Sequence, residues 1–443
     1  MTGLHEEMRG RVVDPSDPDY DALRKMWNGA IDRRPALIAR CVDVNDVVAS
    51  IRYARGNGLE IAVRAGGHGV GGQAVCDSGL VIDVAELKDL RFADNVVRAG
   101  AGLLNGEFDA ATQTRGLATT AGIVSHTGLA GLTLGGGIGW LMRAHGATCD
   151  NLVGAQLVTA DGSIVEVTEQ DELLWALRGA GANFGVVTRL DLRVHTIGPE
   201  VLAGVLMFPA DRAGTVLSGY RDFARHAPRE LTTIVNLRHA PPMPWVPADL
   251  HGRPVVMIAL CWCGALDDGE RVIAHLRTLA PVLDTVAAVS YTAHQRIFDL
   301  AVPHGLNYYW RSDYVGDLDD SVIDVLAEHA WTTRSPRSYT IIFQLGGALE
   351  DVDPASAVFS GRTGFAVNIN AVWPEDGHDD TDWVRREWAA LHPHSTGIYL
   401  NFLDNEEPSR VADAYGKAFD GLVELKRRYD PDNVFRHNHN IPP

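Results

Sequence analysis

Short apolar runs alternate with polar segments along the first 195 residues, and this pattern predicts strands connected by helices and loops. A helix is predicted at Asn45–Asn57, because its apolar residues from Val47 to Ala54 fall on one face. A second helix is predicted at Asn105–Gly116, where a glycine ends it. Strands are predicted at Ala36–Cys41, Leu59–Arg64, Leu80–Val84, Val96–Ala99, Ala155–Thr159, Ile164–Val167 and Val186–Val194.

The pattern changes near Ile197-Gly198-Pro199, after which glycine clusters are fewer and most of the tryptophans occur. Strands are predicted there at Val201–Phe208, Thr232–Arg238, Val255–Trp262, Tyr339–Leu345 and Phe365–Trp373, and helices at Asp211–Arg225, Gly269–Leu279 and Asp320–Thr332. This mixture predicts an antiparallel sheet backed by helices. A further helix is predicted at Ser409–Arg428, with Ser409 as its N-cap. We expect three segments, residues 1–198, 199–397 and 398–443.

Glycine clusters interrupt the first segment at three places, each beside a predicted strand. The first, Val63–Gly72, has five glycines in seven residues around His68. The others are Ala121–Trp140 and Arg178–Gly185. A loop so poor in side chains can turn its backbone N–H groups inward to bind an anion such as a diphosphate. A structural turn explains one such loop equally well, but three clusters favour a ligand pressed against the backbone.

The first cluster also fits the spacing of a nicotinamide-binding loop, which must open a helix. Here the residues from Gln73 onward lead through Cys76-Asp77-Ser78-Gly79 to another strand. No helix is predicted there, so we reject a nicotinamide cofactor.

Composition narrows the classes of partner. The chain has 443 residues, is 46% apolar and carries a formal net charge of −18, with 57 acidic residues against 39 lysines and arginines. This charge disfavours nucleic acid and anionic membrane surfaces as partners, and its simplest meaning is solubility. The five scattered cysteines do not form a disulfide framework. The N-terminus lacks the features of a signal peptide, so we expect a cytoplasmic protein.

Three motifs carry a family resemblance: Arg64-x-Gly66-Gly67-His68, the segment Ala121–Trp140, and Tyr429-Asp430-Pro431-x-Asn433-Val434-Phe435-Arg436. They resemble the vanillyl-alcohol-oxidase-type flavoproteins, and within them the berberine-bridge-enzyme-like oxidases that include the 6-hydroxynicotine oxidase type. The middle of the chain resembles them only weakly. The resemblance implies an α+β, two-domain flavoprotein. Its PCMH-type FAD-binding domain, of two small α/β subdomains, would span residues 1–198, the substrate domain 199–397, and a berberine-bridge-like return 398–443.

The resemblance also implies a covalent flavin. His68 stands where relatives bond a histidine to the flavin 8α-carbon. Many relatives have a second link through a cysteine at the position of Val124, so a singly linked FAD is expected here. Thr127 matches a position near the flavin where relatives modulate oxygen access, and its identity leaves oxidase and dehydrogenase both open. The other expected cofactor-binding residues are Arg64, Ala65, Gly66, Gly67, Gly69, Val70, Gln73, Gly122, Gly128, Gly131, Leu132, Gly135, Gly137, Ile138, Gly185, Val187, Asn438 and Asn440.

Candidate catalytic residues come from two segments. Asn368 and Asn370 share a face of a predicted strand, which either faces solvent or covers the flavin. Tyr399 and Asn401 match the family's Tyr-x-Asn-Tyr segment, and Tyr399 is the candidate general base or substrate hydrogen-bond partner. Weaker candidates are Tyr308, Tyr309 and Arg311.

Other histidines and cysteines have less specific interpretations. His126 either supports its loop or contacts the flavin. No metal is expected, because His437 and His439 have no cysteine or carboxylate at a convincing spacing. Cys76 and Cys149 are expected to be buried, and the pair Cys261 and Cys263 to belong to a core.

The implied reaction is hydride transfer from a C–H of a small-molecule alcohol or amine to FAD, with reoxidation by O2 to give H2O2. Tyr399 or an asparagine-bound water would take the proton. A flavin dehydrogenase or oxidative cyclase of secondary metabolism that uses another acceptor remains open, as does a flavin-binding protein without turnover. The sequence leaves the substrate open among sugars, alkaloid amines and phenolic or polyketide intermediates.

Overall fold

A computed structural model describes residues 2–404 and 410–443. Ser409, the predicted helix cap, lies outside the described residues. The first unit has a sheet of order β1-β2-β4-β3, with strands β1 (Arg11–Val13), β2 (Leu37–Arg40), β3 (Ile61–Arg64) and β4 (Leu80–Asp83). Strands β2, β4 and β3 are parallel, and helix α3 (Val44–Gly56) connects β2 to β3. Two short helices, α1 (Thr2–Glu7) and α2 (Tyr20–Leu23), precede it.

A second sheet follows, antiparallel and of order β5-β6-β10-β8-β9. Its strands are β5 (Leu90–Ala93), β6 (Val96–Gly100), β8 (Leu152–Val158), β9 (Ile164–Thr168) and β10 (Val186–Arg193). A short ribbon pairs β7 (Leu117–Ala118) with β11 (His195–Thr196). The helices are α4 (Asn105–Gln113), α5 (Leu129–Leu134), α6 (Met142–His145) and α7 (Glu172–Leu177). The first glycine loop follows β3, and the second surrounds α5.

Residues 200–397 form a nine-stranded antiparallel sheet of order β15-β12-β14-β13-β18-β19-β17-β20, with β16 also paired to β12. Its strands are β12 (Glu200–Pro209), β13 (Leu231–His239), β14 (Pro254–Trp262), β15 (Leu283–Asp284), β16 (Ala287–Ser290), β17 (Asn307–Val315), β18 (Tyr339–Gln344), β19 (Phe365–Trp373) and β20 (Ser395–Gly397). The helices are α8 (Ala213–Ala224), α9 (Leu266–Arg277), α10 (Tyr291–His294), α11 (Asp320–His329) and α12 (Thr381–Leu391).

The two faces of this sheet have different neighbours. Val235 and Leu237 of β13 pack with α8, α9, α11 and α12 in one hydrophobic cluster. Ile234 of the same strand belongs to another cluster, which also contains Trp27, Ile138 and Trp140 from the first unit. Because side chains alternate along a strand, Asn236 and Arg238 share the second face. The sheet therefore presents one face to its helices and the other to the glycine loops.

The C-terminal part returns to the first unit. The predicted continuous helix Ser409–Arg428 is wrong within the described residues: α13 (Arg410–Tyr415) and α14 (Phe419–Tyr429) are separated by a 3-10 turn at Gly416–Ala418. Gly416 has a φ of +49°, which interrupts the α-helical backbone. The α+β class with an antiparallel sheet is confirmed, and the boundaries at residues 198 and 397 stay predictions. No helix in the described residues has the length and apolar character needed to cross a bilayer.

Candidate active site

A cavity lies between the glycine loops and the second face of the nine-stranded sheet. It brings together residues from the first unit, the sheet and the C-terminal part. The predicted residues that line it are Ala65, Gly66, Gly67, His68, Gly69, Gln73, Gly122, Val124, Thr127, Gly128, Gly131, Leu132, Ile138, Asn368, Asn370, Tyr399, Asn401 and Asn438. Arg64, Val70, Gly135, Gly137, Gly185, Val187 and Asn440 do not line it.

Two glycine loops touch backbone to backbone at the floor of this cavity. A Cβ placed on Gly66 would lie 2.4 Å from the backbone nitrogen of Gly128, and one on Gly128 would lie 2.5 Å from that of Gly66. Gly67 has a φ of +64°, a conformation that favours glycine. Close approach therefore requires glycine at positions 66 and 128, and backbone conformation favours it at position 67.

The predicted residues outside the lining have other roles. Arg64 donates to Asp83 at 2.6 Å in a buried ion pair. Val70 packs in the cluster that contains Trp27. The Gly137 N–H donates to the Tyr399 hydroxyl at 3.0 Å, and a Cβ on Gly135 would collide with Asn401.

Residues of β10 and of the end of the chain complete this set. Gly185 lies just before β10, where a Cβ would lie 2.6 Å from the Val158 carbonyl oxygen, and Val187 is a buried residue of β10. Asn440 has a buried side-chain oxygen without a hydrogen-bond partner among the described residues. None of these three residues contributes a cavity wall.

His68 is held in place by two aromatic neighbours. The Trp27 ring stacks on it at 4.4 Å between centroids, and its Nε2 lies 2.8 Å from Nδ1 of His126. Burial lowers the pKa of His68 well below its ordinary value, and it also lowers that of His126. Both imidazoles are therefore neutral near pH 7, and one donates a hydrogen bond to the other. His126 supports the loop through its contact with His68.

The nitrogens of His68, His126 and His304 lie within 4.8 Å of one another, which is compatible with a metal-binding group. The 2.8 Å separation of His68 and His126 is a hydrogen-bond distance. It is shorter than the roughly 3.3 Å between two nitrogens on one tetrahedral zinc with bonds of about 2.05 Å. His437 and His439 have different partners, the Val75 carbonyl and Gln73. The absence of a metal stays a prediction.

Asn368 and Asn370 lie on the cavity wall. They are 2% and 1% exposed, so the solvent-facing alternative is wrong. Asn368 Nδ2 donates to Asn370 Oδ1 at 3.1 Å, and Asn370 Nδ2 donates to the Asn368 carbonyl at 2.7 Å. The buried Asn368 Oδ1 has no hydrogen-bond partner in residues 2–404 and 410–443. This oxygen is available to a ligand.

Tyr399 also lines the cavity, two residues after strand β20. Its hydroxyl oxygen accepts from the Gly137 N–H and from Asn401 Nδ2, both at 3.0 Å. Burial raises the pKa of Tyr399 to about 12. The phenol is therefore protonated at neutral pH, and its two acceptor positions are already used.

The C-terminal part is fastened by a buried ion pair. Lys426 Nζ donates to Asp430 at 2.7 Å and to the carbonyls of Asn183 and Phe435 at 2.8 and 2.9 Å. Asp430 also accepts from the backbone of Val434 and Phe435. This arrangement explains the aspartate of the Tyr-Asp-Pro-x-Asn-Val-Phe motif, and the chain then continues to the cavity at Asn438.

Sequence reasoning missed several cavity residues. Trp27 was not among the predicted site residues, and nothing in the sequence around it indicates a contact with His68. Asn236 and Arg238 also line the cavity. A signal for them exists, because they show the same two-residue spacing as Asn368 and Asn370. The weaker candidates Tyr308, Tyr309 and Arg311 do not line the cavity, whereas their neighbour Trp310 does. The buried Cys76, Cys149 and Cys261 and the half-buried Cys263 are free thiols.

Comparisons with known proteins agree along the whole chain. A family model described as FAD binding domain matches residues 35–168, and one described as berberine and berberine like matches residues 398–442. An FAD-linked oxidoreductase of Dictyostelium discoideum is 31% identical over 99% of this chain and 96% of the relative. The (R)-6-hydroxynicotine oxidase of Paenarthrobacter nicotinovorans is 31% identical over 98% and 97% of the two chains.

The chain belongs to the berberine-bridge-like FAD-linked oxidoreductases. Solved structures of other oxidases have the same fold as this FAD-linked oxidoreductase. The 6-hydroxy-D-nicotine oxidase of Arthrobacter nicotinovorans has a TM-score of 0.90 at 29% identity and covers 100% of this chain and 99% of its own. The glucooligosaccharide oxidase of Acremonium strictum, at 19% identity, supports the fold, and its FAD is a 6-S-cysteinyl, 8α-N1-histidyl FAD.

The cavity of this oxidoreductase fits FAD. The close approach of Gly66 and Gly128 leaves no room for a side chain at either position, which suits a backbone nest for a diphosphate. The buried oxygens of Asn368, on the sheet, and of Asn438, in the C-terminal part, lack hydrogen-bond partners among the described residues. Both residues line the cavity and can contact a polar ring system. These residues are compatible with a flavin dinucleotide, in agreement with the FAD binding domain matched at residues 35–168.

Proposed function

We propose that this protein is an FAD-dependent oxidase that removes a hydride from a C–H of a small-molecule alcohol or amine, with O2 as electron acceptor. The match to (R)-6-hydroxynicotine oxidase over nearly the full length of both chains supports this proposal. FAD bound in the cavity would supply the hydride acceptor. Residues 1–198 and 398–443 would hold the cofactor, and residues 199–397 would hold the substrate.

The observation that carries the proposal is the neutral His68 fixed on the cavity wall. Its Nε2 is hydrogen-bonded to Nδ1 of His126. When Nε2 is the donor of this bond, Nδ1 carries no hydrogen and keeps its lone pair. We infer that Nδ1 bonds the flavin 8α-carbon. Val124 lines the cavity where relatives have a cysteine and cannot form a thioether. The flavin would therefore be linked once, through His68.

Tyr399 fits the role of substrate hydrogen-bond partner better than that of general base. Its oxygen accepts two hydrogen bonds, and its pKa is raised to about 12 by burial. The hydroxyl hydrogen is left to donate toward the cavity. Asn368 and Asn370 would orient the substrate or a water that takes its proton.

Absorbance of the acid-precipitated protein tests the covalent link. Wild type is expected to retain yellow flavin in the pellet, whereas His68→Ala should release all flavin to the supernatant. His275→Ala, which changes an exposed histidine of α9, is the matched control and should behave as wild type. Acid-stable flavin in the His68→Ala pellet would show that the link is elsewhere.

Oxygen uptake tests the acceptor. An oxidase consumes O2 and forms H2O2 in equal amounts during turnover, without an added acceptor. A dehydrogenase or oxidative cyclase that uses another acceptor bleaches with substrate but consumes O2 slowly. A binding protein without turnover does not bleach with any member of a panel of alcohols, amines and carboxylates under anaerobic conditions.

A further inference from the structure

Arg238 is a buried cation on the substrate face of the nine-stranded sheet. It is 6% exposed, lies on β13 and lines the cavity. In the register of the sheet it is level with Tyr339 of β18 and Asn370 of β19. Asn236 is level with Ile341 and Asn368 in the next row. The guanidinium therefore belongs to the same wall as the asparagines proposed to face the substrate.

No carboxylate neutralises Arg238 among the described residues. Its Nε donates to the His239 carbonyl at 3.4 Å, and its guanidinium lies 4.9 Å from the centre of the Tyr339 ring. Its two terminal nitrogens have no protein acceptor within the described part of the chain. Another cation, the exposed Arg337, is near enough to act with burial in lowering the pKa of Arg238.

Other buried arginines of this protein are compensated. Arg24 and Arg64 pair with aspartates, and Arg143 donates to the carbonyls of Leu231 and Ala227. Burial of a charge without such partners is strongly unfavourable. In a chain with 57 acidic residues, the absence of an acid beside Arg238 indicates that the counter-charge comes from a ligand.

A second donor faces the cavity beside it. Asn236 is 2% exposed, and its Nδ2 has no hydrogen-bond acceptor in the residues that the structure describes. Asn236 and Arg238 are two residues apart on one strand, so both side chains project from the same face. Between and around them the wall is apolar or aromatic, with Tyr339, Ile341 and Trp310.

We propose that the substrate of this enzyme is an organic carboxylate with an apolar or aromatic body, whose carboxylate is bound by Arg238 and Asn236. A planar guanidinium matches a carboxylate through two parallel hydrogen bonds. This inference rests on the proposed oxidase function and narrows its substrate class to acids. The FAD diphosphate is another source of anionic oxygens, but the glycine loops already provide a nest for it on the opposite side of the cavity.

Binding of benzoate and of its neutral analogue benzamide to the holoenzyme tests this assignment, read by the change in flavin absorbance. Benzoate should bind wild type more tightly than benzamide. Arg238→Gln should weaken benzoate binding about 10- to 100-fold, the range for a lost charge-assisted hydrogen bond, and leave benzamide binding unchanged. Arg238→Lys keeps the charge but cannot form two parallel hydrogen bonds, so it should weaken benzoate binding less than Arg238→Gln does. Arg253→Gln is the control, because Arg253 is exposed at the same end of the sheet and does not line the cavity.

Flavin content separates the possible sources of the anion. Full flavin incorporation in Arg238→Gln with weak benzoate binding supports the substrate assignment, whereas loss of flavin would assign Arg238 to the diphosphate and overturn it. Equal benzoate binding by wild type and Arg238→Gln would also overturn it. If wild type contains no flavin, the oxidase proposal fails. The carboxylate site is then still tested by benzoate quenching of tryptophan fluorescence, since Trp27 and Trp310 line the cavity.

Discussion

Gly128→Ala should weaken FAD binding, because it disrupts the contact between the two glycine loops, without disturbing the rest of the fold. The new Cβ would lie 2.5 Å from the Gly66 nitrogen and 2.9 Å from its Cα. Gly128 cannot withdraw, because the neighbouring Thr127 carbonyl accepts from Asn105 and the Leu129 N–H donates to Leu103. The Gly66 loop would have to move by about 1 Å to reach an ordinary contact distance of about 3.5 Å.

The cost of this displacement sets the expected loss of affinity. Overpacking of this kind typically costs about 1–3 kcal/mol, which corresponds to about 5- to 150-fold weaker FAD binding. The measurement uses a His68→Ala background, so that FAD binding is a reversible equilibrium. FAD is titrated into flavin-free protein, with and without Gly128→Ala, and followed by quenching of flavin fluorescence.

Gly214→Ala is the matched control. Gly214 lies in α8, and a Cβ there meets no heavy atom within 4 Å. The control should keep wild-type FAD affinity and gain up to about 1 kcal/mol in the free energy of unfolding. If the Gly128→Ala protein binds FAD as tightly as the Gly214→Ala protein, the contact between the two glycine loops does not contribute to FAD binding.

Three further predictions concern stability and the covalent link. Lys426→Met should lower the free energy of unfolding in urea by about 3–5 kcal/mol, because it leaves Asp430 buried without its counter-charge; a change below 1 kcal/mol, on the order of a solvent-exposed pair, would contradict this. Burial raises the pKa of Glu387 to about 8, so between its ordinary pKa of 4.5 and pH 8 the folded state holds a proton that the unfolded state has released. The free energy of unfolding should therefore fall by about 1.4 kcal/mol per pH unit as pH rises through this window, and Glu387→Gln should remove that part of the slope; an identical slope in both proteins would disprove it. Val124→Cys combined with His68→Ala should restore acid-stable flavin through a thioether, whose formation passes two electrons to the flavin for reoxidation by O2; a colourless pellet after aerobic incubation would contradict the placement of residue 124 beside the flavin ring.

The sequence predicted the regular parts of the fold because their patterns are local. Strand β19 was predicted with its observed ends, and β13 and β14 to within one residue, since each alternates or runs apolar between polar segments. The first two glycine clusters could be recognised in the sequence, because positions of close backbone approach accept few residues other than glycine.

Strand β17 was missed because both of its faces are largely buried, so polar and apolar residues do not alternate along it. Tyr314 packs toward the glycine loops, Val315 packs toward the helices, and Arg311 is buried among aromatic rings. Its aromatic and charged residues therefore resembled an isolated cluster rather than a strand. The break at Gly416 was missed because a single glycine is tolerated in many helices.

The roles of Trp27 and Arg238 depend on contacts between distant parts of the chain. Trp27 precedes β2 in the chain and stacks on His68, and its indole nitrogen donates to the Val302 carbonyl at 2.9 Å. Whether Arg238 has an acidic partner depends on the register of β13 against β18 and β19. Neither fact is encoded in a local pattern, so the charged substrate site could not be identified from the sequence.

The buried pair of Lys426 and Asp430 has a consequence for the order of assembly. Phe435, His437 and Asn438 form one wall of the cavity, and they leave the ribosome after the residues that form every other wall. A nascent chain that has not yet extended past Asp430 presents an open trough instead of a closed pocket. Attachment of the prosthetic group is therefore expected to be a late event that marks a completed chain.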